Sequence, residues 1–372
     1  MRRVTTATLL ALLILLTLVA AGWGILALAY SGPQDDAVRN AFIAAFGLVS
    51  IATLVSLFIR KWRWPVLSTF AVAFAVLLAR HLAIAPSNAR EWQLDVAILP
   101  YATIAGDVVT VHNIRNFDYR SETDFTPAYY DKTFDTRTLD GVDLVAVYWM
   151  GPAIAHTFLS FSFAGGDHLA VSIETRKEEE EEYSTIKGFF RQYELYYAVA
   201  DERDVIRLRT NYRRAPPEDV YVYRLHGPIE NGRRVFLEYM RRVNSLRYSP
   251  AFYNTLTSNC TIDIWYNTFV NAEHLPFSWK IVASGYLPEH MYEAGLLDTS
   301  VNFSELRQRA HVNARAQAAD AAPDFSRIIR QLPDSPSTER GLSGNPTRSQ
   351  LQNAHGGRQG SASGAYSGSF AR

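Results

Sequence analysis

Residues 154–176 read IAHTFLSFSFAGGDHLAVSIETR. Side chains alternate over 154–163, and again over 169–176, around the small turn Ala164-Gly165-Gly166-Asp167. Two alternating runs joined by a glycine-rich turn form a β-hairpin. The first strand puts Ile154, His156, Phe158 and Ser160 on one face, so an imidazole stands among apolar neighbours. Loop length sets the partner of that imidazole. A three-residue loop, 164–166, pairs positions summing to 330 and places His156 opposite Glu174. A two-residue loop, 165–166, pairs positions summing to 331 and turns Glu174 to the other face. An alternative partner for Glu174 is Arg176, two residues along on the same face.

Working outward, strands are expected at 107–114, 142–149, 195–200 and 220–225, and helices at 232–243 and from 260 to about 270. Several strands with few interleaved helices give an α+β unit with an antiparallel sheet packed on helices. The second helix carries Ile262, Trp265, Tyr266 and Phe269 at helical spacing and opens directly after the stretch 253–261, YNTLTSNCT. Ser258 or Asn259 is its N-cap. Cys260, the only cysteine in the chain, stands at its first turn. Helix N-termini stabilise a thiolate, and their free N–H groups can hold an oxyanion. The competing reading of Cys260 is a small buried hydrophobe. One cysteine excludes an internal disulfide, an all-cysteine zinc site and an iron–sulfur cluster. A base must come from a histidine, and His156 is the best placed; His168, at the hairpin turn, is expected to be exposed. No zinc-ligand spacing and no G-x-S-x-G elbow occurs, so neither metal nor cofactor is expected.

The first 89 residues have a different character. No charged residue lies between Arg3 and Asp35, 20 uncharged residues separate Arg39 from Arg60, and 16 separate Arg63 from Arg80. A helix needs about 20 apolar residues to cross a bilayer. Three spans are expected, near 8–29, 40–59 and 64–85, the third only if Arg80 snorkels to the interface. Ala27-Leu28-Ala29 also fits a signal-peptide cleavage site, an alternative that leaves the downstream topology unchanged. Arg2, Arg3, Arg60, Lys61 and Arg63 fall on one side and Asp35 and Asp36 on the other, so the positive-inside rule places residues beyond about 86 outside the cytoplasm.

The formal net charge of zero divides into +5 over residues 1–89, −7 over 90–330 and +2 over 331–372. An acidic outer domain is a poor nucleic-acid binder. The last 42 residues, with eight Ser, seven Gly and few apolar anchors, have the composition of a disordered tail.

Asn259-Cys260 opening a helix after a histidine-bearing strand resembles the permuted papain-like fold of NlpC-type peptidases and lecithin:retinol acyltransferase-like enzymes. Three stretches, 113–120 (NIRNFDYR), 155–176 and 253–261, resemble the N-terminal periplasmic domain of Lnb-type bacterial lipoprotein N-acyltransferases. The resemblance covers roughly residues 92–300. It implies Cys260 as nucleophile, His156 as its base and Glu174 as third member. Asn259, Tyr253, Arg115, Tyr119 and Arg176 belong to the same pattern in substrate-binding or structural roles; Arg115 would pair a carboxylate in the fold or a lipid phosphate. It further implies an acyl-thioester enzyme of the bacterial inner membrane, multi-pass, with its domain in the periplasm. Its partners would be a phospholipid and a lipoprotein or other acyl acceptor. The family order departs from this one, because the membrane segments here precede the domain, which leaves substrate and acceptor open. A cell-wall cysteine peptidase or amidase and a non-enzymatic envelope module are the competing expectations.

Overall fold

The computed structural model describes residues 2–332. Residues 333–372, nearly all of the expected tail, lie outside the described residues. The chain opens with α1 (Arg2–Ser31), α2 (Asp36–Ser56) and α3 (Arg63–Ala83). All three are long and apolar enough to cross a membrane. They pack through Ala21, Leu28, Phe46, Phe70 and Leu77. Gly24 allows that approach, since a Cβ there would fall 2.5 Å from the Phe46 ring. Leucines and valines on the outer faces, such as Val19, Leu48 and Val76, are exposed as lipid contact requires. The Asp35 side chain caps α2 by accepting from Val38 N–H at 2.9 Å. Arg80, the charge that threatened the third span, sends Nη1 to the Ser31 carbonyl at 2.9 Å, so its head lies at the C-terminal end of α1.

The rest of the described chain is built on an eight-stranded sheet. Its strands are β1 (Tyr101–Ala105), β2 (Val108–Arg115), β5 (Tyr129–Asp135), β6 (Leu139–Tyr148), β7 (His156–Phe163), β8 (Asp167–Arg176), β9 (Glu194–Ala200) and β10 (Asp219–Arg224). β3 (Asp118–Tyr119) and β4 (Phe125–Thr126) form a separate small hairpin. The order is β1-β2-β9-β8-β7-β6-β10, with β5 paired to β2. All neighbours are antiparallel except β2 and β9, which meet in parallel at Arg115 and Ala200. This is the one departure from the expected antiparallel sheet.

Helices cover both faces. On one face α5 (Ile229–Tyr248), α6 (Cys260–Asn267), α7 (Trp279–Val282) and α8 (Leu287–Glu293) pack on Leu144, Ala146, Leu159 and Phe161. On the other, α4 (Glu202–Arg207), α10 (Asn313–Ala318) and α11 (Phe325–Ile328) pack on Val145, Val147 and Phe158, and α9 (Phe303–Ala310) lies beside β10. Double coverage explains why β6 is buried at every position but Asp140 and is apolar without break from Leu144 to Tyr148. The strands foreseen from sequence are all present. Those that the alternation did not mark, β1 and β5, carry burial on one side only.

The β7–β8 loop is the three-residue one. Leu159 pairs with Val171 and Phe163 with Asp167, each pair summing to 330. Gly165 and Gly166 turn the chain at φ of +99° and +91°, angles that a side chain disfavours.

Candidate active site

The Asn254–Ser258 turn delivers the chain to α6. Asn254 Oδ1 accepts from the N–H groups of Leu256 and Thr257, each at 3.0 Å. Asn259, rather than Ser258, is the N-cap: its Oδ1 accepts from Thr261 N–H at 3.0 Å and Ile262 N–H at 2.9 Å. Ser258 instead donates to Asp263. The cap corrects one expectation. Two N–H groups of the first turn are spent on Asn259, and among the described hydrogen bonds only the Cys260 N–H of that turn is left without an acceptor. α6 is held on β7 by a hydroxyl pair, Thr157 to Thr261, at 2.9 Å. The Thr261 hydroxyl also lies 3.7 Å from Cys260 Sγ.

His156 opens β7 and lies near enough to Cys260 for its charge to lower the thiol. Its Nε2 is 2.7 Å from Ser172 Oγ and 3.6 Å from Glu174 Oε1. Ser172 Oγ donates to Glu174 Oε1 at 2.8 Å. The serine proton therefore goes to the carboxylate, and the serine oxygen accepts from Nε2–H. This leaves Nδ1 as the ring nitrogen free to take a proton. The paired ladder of β7 and β8 ends at Leu159 and Val171, and Ser172 mediates between His156 and Glu174 beyond it. Sequence reasoning missed Ser172, although it shares the Glu174 face at i−2.

The electrostatics favour an ion pair. Burial pushes the Cys260 thiol up. The His156 charge, the Thr157 backbone N–H and the Thr261 hydroxyl outweigh burial and bring the thiol down to about 7. Burial and Arg209 push His156 down, but the Cys260 thiolate and Glu174 together raise it above its ordinary value. Burial opposes ionisation of Glu174, yet His156 and Arg209 hold it well below the usual carboxylate range. Arg209, also missed from sequence, is buried and donates to Glu174 Oε1 at 3.0 Å. It sits in a π-helical turn, Leu208–Tyr212, that extends α4.

The remaining residues of the pattern divide in two. Arg115 and Tyr119 meet at Asp204 of α4: Arg115 Nη2 at 2.9 Å, Tyr119 Oη at 3.1 Å and the Phe117 N–H at 2.8 Å. Burial alone would lower the Arg115 guanidinium, but the Asp204 carboxylate holds it well above its ordinary value. Arg115 is thus a buried structural partner of a carboxylate, not a free phosphate ligand. Its pairing anchors the helix that presents Arg209. Arg176 does not pair Glu174. It donates to the Val96 and Ala97 carbonyls and to Asn88 Oδ1, and lies 4.2 Å over the Trp92 ring. Tyr253 is buried, and burial and the nearby Cys260 push its hydroxyl well above the ordinary value.

The other histidines are placed elsewhere. His112 pairs with Asp131 and His311 with Asp219, while His168 bonds the Gly166 carbonyl at the hairpin turn. Among the described residues no cluster of His, Cys, Asp and Glu could hold a metal ion.

Residues 125–285 match the family model described as the Lnb N-terminal periplasmic domain. The match includes His156, Glu174 and Cys260 and begins after Arg115 and Tyr119. No curated protein and no solved structure matches the chain. The family match and the three apolar helices mark a membrane-associated envelope protein whose sheet domain is of periplasmic type.

Proposed function

We propose that this chain is a membrane-anchored cysteine acyltransferase or hydrolase of the bacterial inner membrane, with its sheet domain in the periplasm and in a permuted papain-like arrangement. The order along the chain supports that arrangement: the histidine strand and the acid strand precede the cysteine helix. One observation carries the chemistry. The imidazole whose charge lowers the Cys260 thiol is held at Nε2 by Ser172, 2.7 Å away, with Glu174 at 3.6 Å. This is the constellation of an activated nucleophile, its base and an orienting group.

In this reading the Cys260 thiolate attacks the carbonyl carbon of an acyl ester. The Cys260 N–H faces the developing oxyanion. The ester C–O bond breaks, and the departing alkoxide takes the proton from the His156 imidazolium. An amine then attacks the thioester and yields its proton to His156, which gives an amide and restores the thiolate; water in its place gives hydrolysis. Phospholipid as donor and a lipoprotein amine as acceptor fit an active domain tethered at a bilayer surface. The chain with Cys260→Ala, compared with the native chain by mass spectrometry of lipoprotein N-termini, tests the reading. Loss of N-acylation together with loss of a hydroxylamine-sensitive acyl adduct is expected. Unchanged acylation in the variant would sink it, and release of peptidoglycan fragments would favour the peptidase alternative.

A further inference from the structure

Between the acidic run 178–182 and β9 lies a segment that exposes three large apolar side chains beside Thr185 and the half-buried Lys187. Tyr183 is 52 % exposed, Ile186 51 % and Phe189 40 %, and Leu256, on the turn ahead of α6, is 53 % exposed. The two pieces are joined. Thr255 Oγ1 donates to the Thr185 carbonyl at 2.8 Å and Thr255 N–H to the Gly188 carbonyl at 3.3 Å. Gly188 permits the contact, because a Cβ there would fall 2.3 Å from Thr255 Oγ1.

The next two residues tie this lip to the membrane helices. Phe190 is buried, with ring centroids 5.7 Å from Tyr30 and 6.2 Å from Trp23 of α1. The Ser31 hydroxyl donates to its carbonyl. Arg191 Nη1 donates to the carbonyls of Leu82 and Ile84 at 3.0 and 2.8 Å, at the end of α3. Tyr30, in the last turn of α1, is an aromatic side chain of the kind that marks a bilayer interface, and Arg80 stands in the last turn of α3. The lip is therefore held at the level where the helices leave the hydrocarbon. Two of the five neighbouring acids are folded back on the domain, Glu178 pairing with Arg90 and Glu181 accepting from the Glu178 N–H and from Gln192, while Glu179, Glu180 and Glu182 are exposed, so the contact is made by the apolar side chains beyond them.

We propose that residues 183–189 and Leu256 form a lip immersed in the outer-leaflet interface, contacting zwitterionic lipid through apolar side chains, and that it opens the Cys260 site toward the leaflet. Exposed apolar residues contiguous with membrane helices gain by entering the interface rather than facing water. The contact rests on the packing above, and its purpose rests on the lipid-ester chemistry already proposed.

Because Cys260 is the only native thiol, Cys260→Ala provides a clean background for single cysteines at Ile186, Phe189 and Leu256, with Arg137→Cys as a reference. The full chain in phosphatidylcholine nanodiscs, labelled with an environment-sensitive fluorophore, should show blue-shifted emission at the three lip positions. Spin-labelled lipid should quench them, while Arg137→Cys stays water-like. Water-like, unquenched emission at all three overturns the lip. In the Cys260-intact chain, a triple serine variant of Ile186, Phe189 and Leu256 should lower acyl-adduct formation from nanodisc lipid severalfold. Its Cys260 alkylation in detergent should not change. Immersion without any adduct in the native chain would leave the lip standing and defeat the lipid chemistry instead.

Discussion

At the scale of single residues, the Cys260 thiol is set by opposed forces that its position in the sequence does not weigh. A helix start and a cap are legible in Ser258-Asn259-Cys260. The capping, however, consumes the Thr261 and Ile262 N–H groups and leaves only that of Cys260 to serve an oxyanion. The larger effect comes from His156 and the Thr157 N–H, which overcome burial. Removing the imidazole should therefore reverse the shift. Alkylation of Cys260 by iodoacetamide is expected to follow ionisation near pH 7 in the native chain. In His156→Ala the same curve should move upward by at least about 1.5 units, slowing the rate at pH 7 by roughly ten- to fiftyfold. A curve that does not move would show that the helix, not the imidazole, sets the thiol. Ser172→Ala is expected to move it less, since Glu174 still lies 3.6 Å from Nε2.

At the scale of elements, two buried ionic clusters place α4 and α11 against the sheet. Arg115 and Asp204 fix α4 to the end of β2. Below them Arg330, just past α11, pairs with Glu202 at 2.5 Å and with Asp143 at 2.7 Å, and the Ser160 hydroxyl donates to the same glutamate. Burial pushes Glu202 up, but Arg330 holds it down at about 2. A depressed carboxyl contributes stability that is complete above its unfolded value, about 4.5, and is lost as the pH falls toward 2. Arg330→Met strands Glu202, while Asp143 keeps Arg224 at 2.9 Å, so it should cost about 3–5 kcal/mol at pH 7. The difference from the native chain should shrink as acid protonates Glu202. Thermal unfolding in detergent across pH 3–7 checks both the size and the sign, and an equal loss at every pH would exclude the ionic account.

At the scale of the whole molecule, the membrane helices and the sheet domain share aromatic and hydrogen-bonded contacts through Phe190 and Arg191, and the domain stands at the end opposite Arg60, Lys61 and Arg63. In the Cys260→Ala background, an impermeant maleimide added to intact spheroplasts should label Arg137→Cys and spare Lys61→Cys. The reverse pattern would invert the topology. The membrane helices needed no structure to be found, because uninterrupted apolar length is a local property.

What the sequence determined by itself is whatever local spacing encodes. The three spans, the alternating strands and the hairpin follow from periodicity, while residue type narrowed the cap to Ser258 or Asn259 and made His156 the best-placed base for Cys260. Loop length alone left the hairpin register open, and packing chose the three-residue turn that brings Glu174 to the His156 side. Tertiary structure also decided which cations meet which carboxylates. Arg176, two positions from Glu174, turns away to backbone carbonyls, and Arg209, 35 positions on, takes its place. A long charged side chain answers to the nearest buried partner in space, and that distance exists only once strands and helices have packed.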